Sequence, residues 1–154
     1  MQKFKKSLQN FGGNRGEKKF LEAYIHKKSN AKLGDSLVNF IYSVAKSIVS
    51  EMPTGTKVSD SILSEAYRRS LWYSTNTLKL KGKKDRIADT IEALILYFWV
   101  HEELSLEKLI NPLITKLEPD RLHHPKEEYY SAVISFQRLL DFLYNFYLER
   151  EKKL

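Results

Sequence analysis

The 154-residue chain contains no cysteine, which removes disulfides, zinc–thiolate centres and thiol nucleophiles together. Long apolar runs are missing as well. The longest, "ALILYFWV", has eight residues, far short of the ~20 that cross a bilayer as a helix, so no membrane partner is expected. No basic, apolar and small-residue leader opens the chain, which sets the expectation of an intracellular, cytoplasmic protein. There is no Gly-x-Ser-x-Gly elbow and no phosphate-cradling glycine loop. Gly12, Gly13 and Gly16, in "FGGNRG", lack the strand and helix that would give them meaning. No alternating strand pattern, internal repeat or low-complexity tract is present.

What remains is helical. Hydrophobic residues make up 42% and charged residues 29% of the chain, a globular balance with enough material for one core. One domain over residues 1–154 is expected, with an all-α fold. "EKKFLEAYIHK" places Phe20, Leu21, Tyr24 and Ile25 on one face. From about Ala31 to Glu51, Leu33, Leu37, Val38, Ile41, Val44, Ala45 and Ile48 keep helical spacing. "EMPTGT" breaks the chain at Pro53 and Gly55, and Ser59 or Asp60 can cap a third helix through Ile62, Leu63 and Ala66. A polar, basic connection follows from about Tyr73 to Lys84. "LSLEKLINPLITKL" is again periodic, with a turn or kink expected at Pro112. A last helix, roughly Lys126 to Lys152, carries Tyr129, Val133, Phe136, Leu140, Leu143 and Tyr147. The aromatic stripes are read as core.

The net charge of +7 and pI near 9.4 favour a polyanionic partner, either nucleic acid or an acidic surface. Lysine and arginine cluster in "MQKFKK", "HKKSNAK" and "KLKGKKDR". Each alone reads as solvated surface. The third leads straight into the helix "DRIADTIEALILYFWV", where Asp85, Asp89 and Glu92 share one stripe. The helix dipole accounts for Asp85, which resembles an N-cap, and serves Asp89. It serves Glu92 badly, two turns in and flanked by Ile91, Ala93, Leu94 and Ile95.

A second acid, Asp35, follows Gly34 in "AKLGDSLVNFIYSV" among Leu33, Leu37 and Val38. Alone it is a tolerated polar defect or a partner for a helix end. With Asp89 and Glu92 it would supply the oxygen-rich set that Mg²⁺ or Mn²⁺ prefers. Such an ion offsets the cost of burying carboxylates and activates water for attack at phosphorus. The histidines show no site spacing: "HEEL" at His101 lacks a second histidine, and His123 and His124 read as surface.

These residues resemble a known family. "LGDSLVNF" looks like the signature helix of ribonuclease III, "ADTIEALI" is similar to its second acidic motif, Asp-x-x-Glu-Ala, and "VSDSILSEAYRR" resembles the segment between them, a Ser-acid pair leading into an Ala-rich helix. The resemblance runs from about Glu17 to His101. Three departures stand out. Ala31 occupies the place of a family glutamate, Lys32 that of an aromatic residue seating the partner subunit, and Leu96 that of a glycine. Alanine before the signature aspartate also occurs in the compact Mini-III branch, which lacks a double-stranded RNA-binding domain. No strand-rich segment of that kind is expected here either.

The resemblance implies a Mg²⁺-dependent (or Mn²⁺-dependent) endoribonuclease that hydrolyses double-stranded RNA as a homodimer. It assigns Asp35, Asp89 and Glu92 as catalytic metal ligands, with water taking the place left by Ala31; Asp85, outside that set, is only a secondary candidate, acting through water. Lys79, Lys81, Lys83, Lys84 and Arg86 would grip phosphates beside them. The apolar face of the signature helix, including Val38, Ile41 and Ala45, offers the partner surface. The competing expectation, favoured by Ala31, is a protein of the same fold that binds structured RNA without cutting it. A purely structural helical protein leaves the three acids unexplained.

Overall fold

The computed structural model describes residues 2–10 and 18–153; Gly12, Gly13 and Gly16 lie outside them. Helices α1 (Gln2–Gln9), α2 (Lys18–Ile25), α3 (Lys28–Ser50), α4 (Asp60–Arg69), α5 (Leu71–Ser74), α6 (Lys84–Val100), α7 (Leu106–Ile114) and α8 (Pro125–Lys152) follow in order, with a 3₁₀ turn at Pro119–Arg121. No strand occurs among the described residues. No described helix is long and apolar enough to cross a membrane.

Helix α6 is the axis of the fold. From Ile91 to Phe98 every residue is buried, Glu92 included, because the sequence is apolar on all sides and must be surrounded. Helix α3 makes its most extensive contact with α6, and α4 and α2 close two further sides. Helix α8 packs on α4 and α7. It holds α5 through Trp72 Nε1–H donating to the Leu140 carbonyl (2.8 Å) and Asp141 accepting from the Leu71 N–H (2.8 Å). Ser59 caps α4 and Ser105 caps α7, each side chain accepting an N–H three residues on. Helix α7 runs through Pro112 to Ile114 instead of turning there.

Two expectations need correction. Asp85 is not the cap of α6: Lys83 holds that position without a side-chain bond, and Asp85 sits in the first turn, accepting from the Arg86 N–H. Val38, Ile41 and Ala45 offer no partner surface, since all three are fully buried against the chain's own core. The exposed apolar residues of α3 are Leu33, Phe40 and Ile48. Helix α1 has no counterpart in the sequence reading. It docks by Lys5, whose Nζ reaches the Leu104 carbonyl (3.1 Å) and lies 5.0 Å from the Trp99 ring centroid.

The segment between α3 and α4 is fastened by a polar stripe. Asn39, Ser43 and Ser47 stand at four-residue intervals on α3. They accept from the N–H groups of Val58 (2.8 Å), Thr56 (2.8 Å) and Thr54 (2.9 Å), at two-residue intervals on the segment. The two spacings match physically: four residues of helix rise ~6.0 Å, and two residues of extended chain advance ~6.6 Å. This lacing fixes where Lys57 and Asp60 emerge.

Candidate functional site

The site is built where α3 crosses α6. Gly34 lies against the Glu92 backbone so closely that an added Cβ would stand 2.5 Å from the Glu92 carbonyl carbon and 3.1 Å from the Ala93 nitrogen. Only glycine permits this crossing. It brings Asp35 and Glu92 together, and Glu92 hydrogen-bonds the Asp35 carboxylate. One turn earlier on α6, Asp89 joins them, so the three acids chosen from the sequence line one cleft of about 170 Å³.

Their environments differ more than the sequence suggested. Glu92 is 4% exposed, Asp35 is half-buried and Asp89 is exposed. Burial is the largest cause that pushes the Glu92 carboxyl up to about 9, followed by the hydrogen bond and charge of Asp35 and the charges of Asp89 and Asp60. Without a cation, Glu92 therefore keeps its proton near neutral pH and donates it to Asp35. Asp89 is also held above the usual carboxylate range, first by desolvation and then by Asp60, while Lys28 opposes the shift.

Sequence reasoning had considered Asp60 only as a cap. It is exposed at the start of α4 and lines the same cleft. Asn39 was missed altogether. Its Nδ2 donates to Asp35 Oδ1 (3.3 Å) while its Oδ1 accepts from the Val58 N–H, two residues before Asp60. The signal was present as the asparagine four residues after Asp35 in "LGDSLVNF". Lys28, Lys32 and Lys57 complete the rim, and Ala31, buried, contributes no ligand.

Four carboxyl groups around one small cleft make an all-oxygen donor set of the kind hard divalent cations take. Their mutual repulsion, which adds to burial in raising Glu92, is what such a cation would relieve. As the side chains stand, no group of three or more acid, histidine or cysteine residues among those described is gathered tightly enough to hold an ion. Asp85 lies in the neighbouring cleft, exposed, on the same wall as Asp89.

That neighbouring cleft, about 540 Å³, is lined by Lys79, Lys81 and Arg86 of the predicted basic stretch. The loop carrying the two lysines is anchored by Tyr67, whose hydroxyl donates to the Leu78 carbonyl (2.6 Å) and accepts from the Leu80 N–H (3.0 Å). Lys83 and Lys84 are exposed at the start of α6 and do not line the cleft. His123 and His124 are at the surface, as read. His101 is buried among the rings of Phe20, Tyr24 and Tyr97.

Comparison with known proteins identifies a family for most of these helices. A family model described as ribonuclease III matches residues 28–149, which spans α3 through most of α8. The comparison with curated proteins found no match.

Proposed function

The chain belongs to the ribonuclease III family, and on that premise we propose that it is a Mg²⁺- or Mn²⁺-dependent endoribonuclease, cytoplasmic and homodimeric, that hydrolyses double-stranded RNA. The observation that carries this reading is the meeting of Asp35, Asp89 and Glu92, from two separate motifs, in one lysine-rimmed cleft.

The roles follow from the environments. Asp35, Asp89 and Glu92 would hold the cation, which when bound lowers the pKa of water and neutralises charge on the phosphate. To hold the cation Glu92 would have to be ionised, since a ligating carboxylate carries no proton. Asn39 orients Asp35 through its 3.3 Å hydrogen bond. Lys28, beside Asp89, favours the ionised form of that carboxylate. Lys79, Lys81 and Arg86 grip backbone phosphates next to the cleft, a mode of recognition that reads A-form shape and not sequence.

A homodimer needs a self-complementary apolar patch. The groove between Leu33, Leu37, Phe40, Leu96, Trp99 and Leu106 supplies one. Leu33 is 43% and Phe40 53% exposed, and both stand on the helix that carries Asp35. Seating a second copy there would join the two chains through the helices that carry Asp35.

The deciding test incubates the pure protein with long double-stranded RNA in Mg²⁺, in Mn²⁺ and in chelator. Cleavage in either metal, lost in chelator and in Glu92→Gln, is the expected result. The second reading, binding of structured RNA without cutting, is favoured by Ala31 at the family's glutamate position. Binding with no cleavage in any metal would establish it instead.

A further inference from the structure

The connection between α5 and α6 alternates leucine with lysine at Leu78, Lys79, Leu80 and Lys81. Leu78 is buried and Leu80 half-buried, while Lys79 and Lys81 are exposed. A period of two is what an extended chain produces. In a sheet such a chain would satisfy its backbone on a neighbouring strand, and no strand occurs among the described residues. The backbone groups turned inward need another partner.

Tyr67 is that partner. Its hydroxyl donates to the Leu78 carbonyl (2.6 Å) and accepts from the Leu80 N–H (3.0 Å), so one oxygen clasps the chain on both sides of Lys79. The Leu78 N–H goes to the Trp72 carbonyl (3.2 Å). The clasp has a firm base. Tyr67 is buried near the end of α4, a helix packed on both α6 and α8, and its ring meets Tyr73 edge-on at 5.6 Å. Burial holds its phenol above the ordinary range, so it keeps the proton that it donates. At the other end of the segment Gly82 turns the chain with a φ of 111°. Arg86 lies over that turn, its Cδ 3.3 Å from where a Cβ on Gly82 would stand.

What the clasp orders is hardly core. Between Tyr73 and Arg86 only Leu78 is buried. Lys79 and Lys81 line the 540 Å³ cleft with Asp89, and neither is in an ion pair among the described residues. A lysine on a loose loop must be ordered when it meets a phosphate, whereas on a held backbone much of that ordering is complete on folding.

We infer that Tyr67 is a positioning residue for the RNA: it touches no substrate and acts through Lys79 and Lys81, by presetting their backbone for contact with phosphates. Tyr67 has this role only if the two lysines grip phosphates, as read above.

The test is a double-mutant cycle on the full chain, read by the anisotropy of a fluorescently labelled RNA duplex in chelator, so that no strand is cut. Tyr67→Phe keeps the ring and removes both hydrogen bonds. In the wild-type background it should weaken binding by roughly 3–10-fold, the cost of ordering one or two freed side chains. In a Lys79→Ala/Lys81→Ala background it should change affinity by less than about twofold. A tyrosine with a structural role alone would cost the same in both. Tyr73→Phe, whose ring is exposed outside the cleft, is the control and should change neither. Equal loss in both backgrounds, or no loss in either, overturns the inference. Should Tyr67→Phe fail to fold by circular dichroism, hydrogen exchange on wild type decides. The Leu80 amide should be protected where those of Lys79 and Lys81 are not, and equal exchange at all three removes the clasp and the inference with it. If wild type cleaves the duplex in Mg²⁺ while Tyr67→Phe binds as tightly as wild type, the role of Tyr67 falls and the nuclease reading stands. If the cycle runs as expected but wild type never cleaves, the reverse holds. A wild-type chain that binds no RNA removes both.

Discussion

Gly34 on α3 and Glu92 on α6 touch backbone to backbone, with no room between them for a single methyl group. This contact sets the distance between the two helices that carry the acids, so it governs fold and site together. Gly34→Ala gains a little helix propensity, about 0.5–1 kcal/mol. It also forces α3 away from α6 at the centre of the core, where overpacking costs about 1–3 kcal/mol. The expected outcome is net destabilisation in urea unfolding, together with a weaker Asp35–Glu92 hydrogen bond. A Gly34→Ala chain as stable as wild type would show that the crossing is looser than described.

Glu92 makes stability depend on pH with a definite sign. Its carboxyl lies near 9 in the folded chain against 4.5 for an ordinary glutamate. Between those values the folded state binds the extra proton. Its stabilising contribution is thus complete below about 4.5 and is lost as pH rises through about 9, at no more than ~1.4 kcal/mol per pH unit. Metal-free wild type should lose stability across this window relative to Glu92→Gln, in urea titrations at several pH values. The same proton must leave when a cation binds, so Mn²⁺ affinity should rise with pH over that range. A flat difference between the two chains would mean that Glu92 is ionised in the folded state.

The acids of α3 and α6 were legible because a carboxylate inside an apolar helical period conflicts with its surroundings, and such conflict is visible in one dimension. The stripe of Asn39, Ser43 and Ser47 was not. Polar residues at four-residue spacing read as a solvent face, and nothing local says that another segment lies along it. The faces of α3 were confused for a related reason. Its apolar positions cover more than one stripe, and the sequence does not say which stripe meets the chain's own core. Val38, Ile41 and Ala45 meet that core; Leu33 and Phe40 do not. Lys5 escaped notice because a lysine within the first turns of a basic segment reads as surface, whereas here it is 7% exposed beside Trp99.

Asp60 and Asn39 can be separated from each other by what they disturb. The charge of Asp60 raises both Asp89 and Glu92. Asp60→Asn should lower the midpoints of both, read by carbon NMR of the carboxyl groups, with little change in stability at an exposed position. Asn39→Ala removes two hydrogen bonds and leaves the Val58 N–H without its partner. An unmet buried donor costs about 1–3 kcal/mol, so this variant should unfold earlier and release the segment that positions Lys57 and Asp60. Faster amide exchange at Val58 and Thr56 is the specific sign. If exchange there is unchanged, the lacing of this segment does not depend on Asn39.

The partner surface provides the last prediction. Leu33 and Phe40 stand one helical turn either side of Leu37, on the side of α3 turned away from Val38, Ile41 and Ala45. A charge at Phe40 would meet its own copy, or sit near it, across a two-fold axis, since an isologous contact pairs each patch with itself. Phe40→Glu should therefore dissociate the dimer in sedimentation equilibrium. It should leave the monomer folded, because Phe40 is 53% exposed and supports little of the core. Ile48→Glu is the control: it lies on the same helix, 55% exposed, but outside the groove, and should leave the dimer intact. Cleavage by Phe40→Glu should shift from paired cuts on both strands toward single-strand nicks, as each carboxylate cleft then acts alone. Wild type that sediments as a monomer well above its working concentration would remove the shared surface, and with it the paired cutting.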